Sequence, residues 1–297
     1  MTTDRSGLIL LNKQPGISSF DALRDIKRAL GTGKVGHTGT LDKFARGLML
    51  VLTGRALKLS QWFSGCDKQY EAEVYFGIET DTLDPTGLEV ARAEVPAENV
   101  IQRLLPQFTG SIAQTPPVYS AIHINGKRAS ALVRSGQIPD MKQRQISVYR
   151  LILSDWSPPY ARFFIHCSSG TYIRSLARDI ARAAGSCAHV SSLVRTRVAG
   201  FELETCLRGS ASLFPDILPI DKPLFCSLGL PWFEISEKEI PCIISGKPLS
   251  NILTDRELIS NNGRSNRAAG IFCDNTLIAV VEKAGNNWKY GYVYAHS

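Results

Sequence analysis

The period of the apolar positions changes several times along the chain, and each change predicts an element. Leu8 to Leu11 reads as a short buried strand, and Asn12-Lys13-Gln14-Pro15-Gly16 as a turn. Phe20, Leu23, Ile26 and Leu30 then fall on one face of a helix. Ser18 and Asp21 open it in a box-like cap and Gly31 ends it. Leu48 to Leu52 is an unbroken apolar run, as in a buried strand, and Arg55 to Phe63 puts Ala56, Leu59 and Phe63 on one side of a helix. Lys68 to Phe76 alternates, with Tyr70, Ala72, Val74 and Phe76 on one strand face. Val100 to Phe108 predicts a short helix, and Ile146 to Trp156 and Ala161 to Cys167 two strands. The helix that follows buries Ile173, Leu176, Ala177, Ile180 and Ala184, with Gly185 as its cap. Pro215, Pro219, Pro223 and Pro231 read as a linker. After it come short apolar runs, Cys242 to Ile244, Gly270 to Cys273, Thr276 to Val281 and Trp288 to Ala295, which predict a small β-rich unit. The polar stretch 254–267 reads as a loop. The whole is a mixed α/β (α+β) chain.

Composition narrows the function classes. The 297 residues are 44% hydrophobic and 21% charged, ordinary for a soluble globular protein. The net charge of +7 favours a polyanionic partner without proving one. Seven cysteines include no Cys-x-x-Cys pair, which argues against a zinc ribbon and suits a reducing compartment. Leu8 to Leu11 is too short for a signal peptide, and no apolar run nears the roughly 20 residues of a membrane span. A cytoplasmic protein with no membrane contact is expected.

The candidate chemistry lies between the first helix and the Leu48 run, in Gly36-His37-Thr38-Gly39-Thr40-Leu41-Asp42-Lys43-Phe44-Ala45-Arg46-Gly47. Three glycines permit sharp turns and close approach to a ligand, and Asp42 is the one acid. By itself this Asp reads more readily as a turn cap. Two further blocks stand out, Gly77-Ile78-Glu79-Thr80-Asp81-Thr82-Leu83-Asp84 and Gly170-Thr171-Tyr172-Ile173-Arg174. The acids of the first read as turn and cap residues. On the helix after the second, Arg174, Arg178 and Arg182 stripe one side, and for Arg178 and Arg182 a solvated face is the better reading.

Together, Gly-His-Thr-Gly-Thr-Leu-Asp and Gly-Thr-Tyr-Ile-Arg closely resemble the signatures of the bacterial tRNA pseudouridine-55 synthases, the TruB family, over about the first 210 residues. The resemblance implies a pseudouridine synthase fold with a central, mostly antiparallel sheet and flanking helices. It implies a catalytic domain over 1–225, with an RNA-gripping insertion at about 122–145, and a small β-barrel of the PUA type over 226–297. It also implies the reaction, isomerisation of uridine 55 in the tRNA T-loop by a monomer that needs no cofactor and no metal. Asp42 matches the catalytic carboxylate and Arg174 its ion partner. Burial disfavours a charged carboxylate, and a fixed guanidinium beside it offsets that penalty.

Tyr70 matches the aromatic that stacks on the flipped base, and Leu193 an apolar residue of the uracil pocket, for which core packing is as good a reading. His37 would fill the vacated gap or prop the flipped nucleotide. Lys127, Arg128 and Arg134 on the insertion would grip the T-arm. Lys43, Phe44 and Arg46 depart from the Pro-Leu and Thr of many relatives, and the two cations would aid phosphate contact or alter which RNA is preferred. The rival reading is a non-catalytic RNA binder or tRNA folding helper on the same scaffold.

Overall fold

The computed structural model describes residues 5–124, 126–208, 216–254, 256–260 and 267–294. Pro215, Ala295 and much of the polar stretch 254–267 lie outside the described residues. A nine-stranded sheet forms the body. Seven strands follow one path: Gly7–Lys13, Arg46–Thr53, Ala188–Val198, Lys68–Phe76, Tyr160–Cys167, Arg144–Ser157 and Gly110–Gln114. Val35–His37 and Phe201–Glu202 pair onto its flank. Every neighbour on the path is antiparallel except one: Ala188–Val198 runs parallel to Arg46–Thr53, and only Val194↔Arg46 and Arg195↔Gly47 pair there. Among the described residues no helix is long and apolar enough to cross a membrane.

The expected strands form where the alternation put them. Tyr70, Ala72, Val74 and Phe76 are buried together under the Ile173–Ala183 helix, which contributes Ile173, Leu176, Ala177 and Ile180 to the same core. Arg46–Thr53 is covered on both faces, which explains its unbroken apolar run. Met49 enters that first core, whereas Leu48, Leu50 and Leu52 enter a second one with Phe63, Phe225, Phe272 and Leu277.

Four expectations need correction. The first helix has the Ser18–Asp21 cap, with the Asp21 N–H donating to Ser18 Oγ at 3.1 Å, and ends at Gly31 in the left-handed region. Phe20, however, is 70% exposed, because the chain enters through a 3-10 turn at Asp21–Leu23 that rotates it off the apolar face. Its ring instead carries Lys27 Nζ at 4.5 Å. The proline-rich linker contains a helix, Lys222–Leu228, because Asp221 caps it through Leu224 N–H and a proline is tolerated in its first turn. Cys242 to Ile244 is helical, within Ile240–Ile244. The reason is local: Ser236 and Glu239 form a capping box just upstream, and Pro241 starts a helix but cannot donate within a strand. Finally, Arg178 is not solvated; it is nearly buried and donates to the Thr115 carbonyl at 3.0 Å.

The C-terminal strands Trp232–Glu234, Ala268–Cys273, Thr276–Ala284 and Asn287–Val293 form a four-stranded sheet in that order. One face of it packs on the body through Phe272 and Val280, and the other holds Phe233, Ile243, Ile271 and Ala279.

Gly47 sits at the parallel seam with φ +115°, a conformation that side chains avoid, and an added Cβ would lie 2.8 Å from the Arg195 nitrogen. Gly47→Ala should therefore destabilise the fold by about 2–4 kcal/mol. Urea unfolding checks this through a lower midpoint at unchanged slope.

Candidate active site

The segment that carries Asp42 is a loop between the Val35–His37 and Arg46–Thr53 strands, and it is fastened at almost every residue. Arg195, fully buried, donates from Nε to Leu48 O at 2.7 Å, from Nη1 to Thr40 O at 3.3 Å and from Nη2 to Gly39 O at 3.2 Å. Ser19 Oγ bonds both the carbonyl and the N–H of Leu41 at 2.9 Å. Buried Lys13 donates to Ala45 O at 2.7 Å, and Gly16 N–H to Lys43 O at 2.8 Å. A glycine-rich loop held this way presents Asp42 in one position.

Arg174, on the first turn of the Ile173–Ala183 helix, meets it. Its Nε donates to Asp42 Oδ2 and its Nη2 to Asp42 Oδ1, each at 2.8 Å. The remaining N–H groups go to Tyr119 O at 3.1 Å, Thr82 O at 2.6 Å and Asp84 Oδ2 at 3.3 Å. All five guanidinium donors are thus engaged. The Arg174 side chain is 4% exposed and that of Asp42 32%, so the pair is buried from the arginine side and open from the carboxylate side. Asp84 keeps its expected turn role, since its Oδ1 accepts from Thr86 N–H at 3.0 Å and from the Thr82 hydroxyl at 2.8 Å, while Oδ2 faces Arg174.

Asp42 opens into a cavity of about 240 Å³, also lined by Lys68, Tyr70, Ser120, Arg144, Tyr172, Leu193 and Arg195. Of the sequence-predicted residues, Asp42, Tyr70 and Leu193 line it, and Arg174 lies directly behind Asp42. Tyr70 and Leu193 belong to the buried core as well. His37 is half-buried at the end of the Val35–His37 strand and is not among the residues lining it; burial, and then the nearby Arg195 cation, lower its pKa and favour the neutral imidazole. Lys43 and Arg46 are exposed beside the loop. Lys127, Arg128 and Arg134 are exposed on the insertion, a short hairpin followed by the Ala129–Arg134 helix.

Sequence reasoning did not place Lys13, Lys68, Arg144 or Arg195 at the site. Their signal was slight. Lys68 alternates in register with Tyr70, which places a lysine on the buried face, but the others are held by contacts with distant parts of the chain, Tyr172 for Arg144, Ala45 for Lys13 and Leu48 for Arg195. Burial, reinforced by the Arg195 cation, pushes the Lys68 ammonium down to about 8. Lys13 is likewise lowered to about 8 by burial, against the pull of Asp42. Burial raises the Tyr70 hydroxyl to about 12.

The TruB family pseudouridylate synthase (N terminal domain) model matches residues 27–173. The tRNA pseudouridine synthase B of Borreliella burgdorferi is 45% identical over 202 residues, which cover 67% of this chain and 72% of that one. The protein of the same name from Treponema denticola is 43% identical over 224 residues, covering 69% and 63%. The chain belongs to the TruB family of pseudouridylate synthases. A solved H/ACA RNP bound to a substrate RNA containing 2'-deoxyuridine shares the fold, with a TM-score of 0.69 at 20% identity over 99% of this chain and 86% of that one. Residues 27–173 of the family match run from the first helix to Ile173 and so contain Asp42 and Tyr70.

Lys68 gives a pH signature. Its folded value of about 8 lies below the ordinary lysine value of about 10.4. Between the two the unfolded chain binds more protons, so stability rises with pH there. Against a Lys68→Met reference, the wild-type protein should gain about 2 kcal/mol of unfolding free energy from about pH 8 to about pH 10. Paired urea titrations across that range measure it, and a flat difference would contradict the buried-ammonium reading. Above about pH 10 the raised Tyr70 acts with opposite sign in both proteins and cancels.

Proposed function

We propose that the chain isomerises uridine 55 in the T-loop of tRNA to pseudouridine, with Asp42 as the essential carboxylate. The observation that carries this reading is that Asp42, the one acid among the described residues lining the cavity, is held on both oxygens by a buried arginine. The curated relatives named tRNA pseudouridine synthase B support it. In this reaction the N1–C1′ bond breaks, the uracil turns, C5 bonds to C1′, the C5 hydrogen leaves as a proton, and N1 takes up a proton in place of its bond to the sugar. Nothing is oxidised and no group departs. Each Asp42 oxygen takes one N–H from Arg174 and keeps a lone pair for the ribose, either to attack C1′ or to remove a ribose proton. A cavity of about 240 Å³ suits one flipped nucleoside.

Turning the base out costs a few kcal/mol, and stacking it on an aromatic returns about 1–3 kcal/mol. Tyr70 supplies that ring and Leu193 the apolar wall. His37, at the entry to the loop, has a positioning role. Lys43, Arg46, Lys127, Arg128 and Arg134 contact phosphates of the T-arm. The catalytic domain spans 1–225 and the C-terminal sheet belongs to 226–297. We read the protein as acting as a monomer, and a tRNA substrate supports a cytoplasmic site.

Tritium release from tRNA labelled at uracil C5 counts turnovers. The wild-type protein should release tritium and Asp42→Asn none, with tRNA binding retained by both. No release by either, with tight salt-sensitive binding, would favour the RNA-binder reading; equal release would mean the wrong acid. Tyr70→Leu should slow single-turnover release by about ten- to a hundredfold, the equivalent of one lost base stack, and leave tRNA affinity nearly unchanged. Equal loss of rate and affinity would argue against a stacking role.

A further inference from the structure

The cations around the cavity are not equivalent. Arg174 has spent all five donors on Asp42, Asp84, Thr82 and Tyr119. Arg195 is committed to the carbonyls of Leu48, Thr40 and Gly39. Lys68 donates to Cys66 O at 2.5 Å and Ser64 O at 3.3 Å. Arg144 differs. Its Nε and Nη2 are fully buried and have no hydrogen-bond partner among the described residues, and the same holds for Ser120 Oγ. Both residues line the cavity of Asp42. Buried polar groups are normally hydrogen-bonded, and a charged donor left without an acceptor is the costliest exception.

The Arg144 guanidinium is nonetheless held in place. It lies over the Tyr172 ring at 4.6 Å. Tyr172 is clipped to Gln114, whose side chain accepts from its N–H at 2.8 Å and donates to its carbonyl at 3.0 Å. Gln114 is in turn the cross-strand partner of Arg144 in the sheet. Arg144 also lines a second groove, of about 430 Å³, with Pro116, His123 and Lys142 at the base of the insertion. It therefore stands where a strand of RNA would pass from the insertion to the flipped nucleotide.

We propose that Arg144 binds a phosphodiester group flanking the uridine that enters the cavity, with the Ser120 hydroxyl as an additional donor. The inference rests on the proposed function for the identity of the RNA. A guanidinium fork matches phosphate oxygens bidentately. Charge points the same way, since Lys68, Arg144 and Arg195 line the cavity together with a single acid that Arg174 already neutralises. A uracil carbonyl would satisfy the donors but leave that positive charge unbalanced.

The test is a binding cycle on a T-arm RNA hairpin. A single methylphosphonate, which removes one charge and keeps the size, replaces the phosphate on the 5′ or the 3′ side of the target uridine. Arg144→Gln should weaken binding by about ten- to a hundredfold, in the range of a lost charged hydrogen bond, with its thermal midpoint unchanged. One of the two methylphosphonates should weaken the wild-type protein equally, and combining the two changes should cost no more than either alone. Arg144→Lys, which keeps the charge without the fork, should lose less and serves for the same cycle if the Gln variant does not fold. Losses that multiply at both positions would overturn the proposal. So would unchanged affinity with a slowed rate, which would put Arg144 on the uracil ring. Tritium release by the wild-type protein reads the proposed function separately, because the cycle reports on binding whether or not turnover occurs.

Discussion

The site depends on a single guanidinium. Arg174 gathers acceptors from Asp42, from the Thr82–Asp84 turn and from Tyr119, segments separated by tens of residues in sequence, onto the first turn of one helix. A buried arginine with any donor unmatched is strongly unfavourable, so these acceptors fix one another's positions. The same saturation assigns its role. An arginine with no donor left cannot also bind RNA, and its remaining contribution is the fixed positive charge behind the carboxylate.

A second constraint comes from the sheet. Antiparallel pairing governs the path except at Val194↔Arg46 and Arg195↔Gly47, and the Asp42 loop leaves the sheet at that seam. There the backbones approach so closely that only glycine fits at position 47. The side chain of Arg195, from the neighbouring strand, then reaches back to bond the loop carbonyls at Gly39 and Thr40. Irregular pairing, a glycine and a buried arginine are thus one device that closes the loop around Asp42. Its electrostatic consequence is an excess of cation near the cavity, which burial relieves in part by lowering Lys13 and Lys68 toward about 8.

The sequence made legible what is periodic or local. Alternation from Lys68 to Phe76 and the apolar run from Leu48 to Leu52 describe the strands, and the glycine-rich block and Arg174 locate the two halves of the ion pair. The errors arose where a local signal outweighed the periodicity being read. The Ser236–Glu239 capping box makes a helix of a segment read as a strand, and Asp221 does the same in a segment read as a linker. Arg195 and Arg144 were not placed at the cavity for a different reason. An arginine on a strand looks solvent-facing until its partners are known, and those partners lie 147 positions away for the one and, for Tyr172 under Arg144, across the sheet edge.

The C-terminal sheet also bears on the site. Leu48, Leu50 and Leu52, on the strand that leaves the Asp42 loop, pack in one core with Phe225, Phe272 and Leu277, while Met49 and Val51 face the opposite side. The loop's outgoing strand is therefore clamped between the body and the C-terminal unit. Removing that unit would expose three leucines and an aromatic cluster on the strand that holds Gly47 against Arg195. The hydrophobic core consequently crosses the boundary proposed near residue 225, and the rigidity of the Asp42 loop depends on residues from both sides of it.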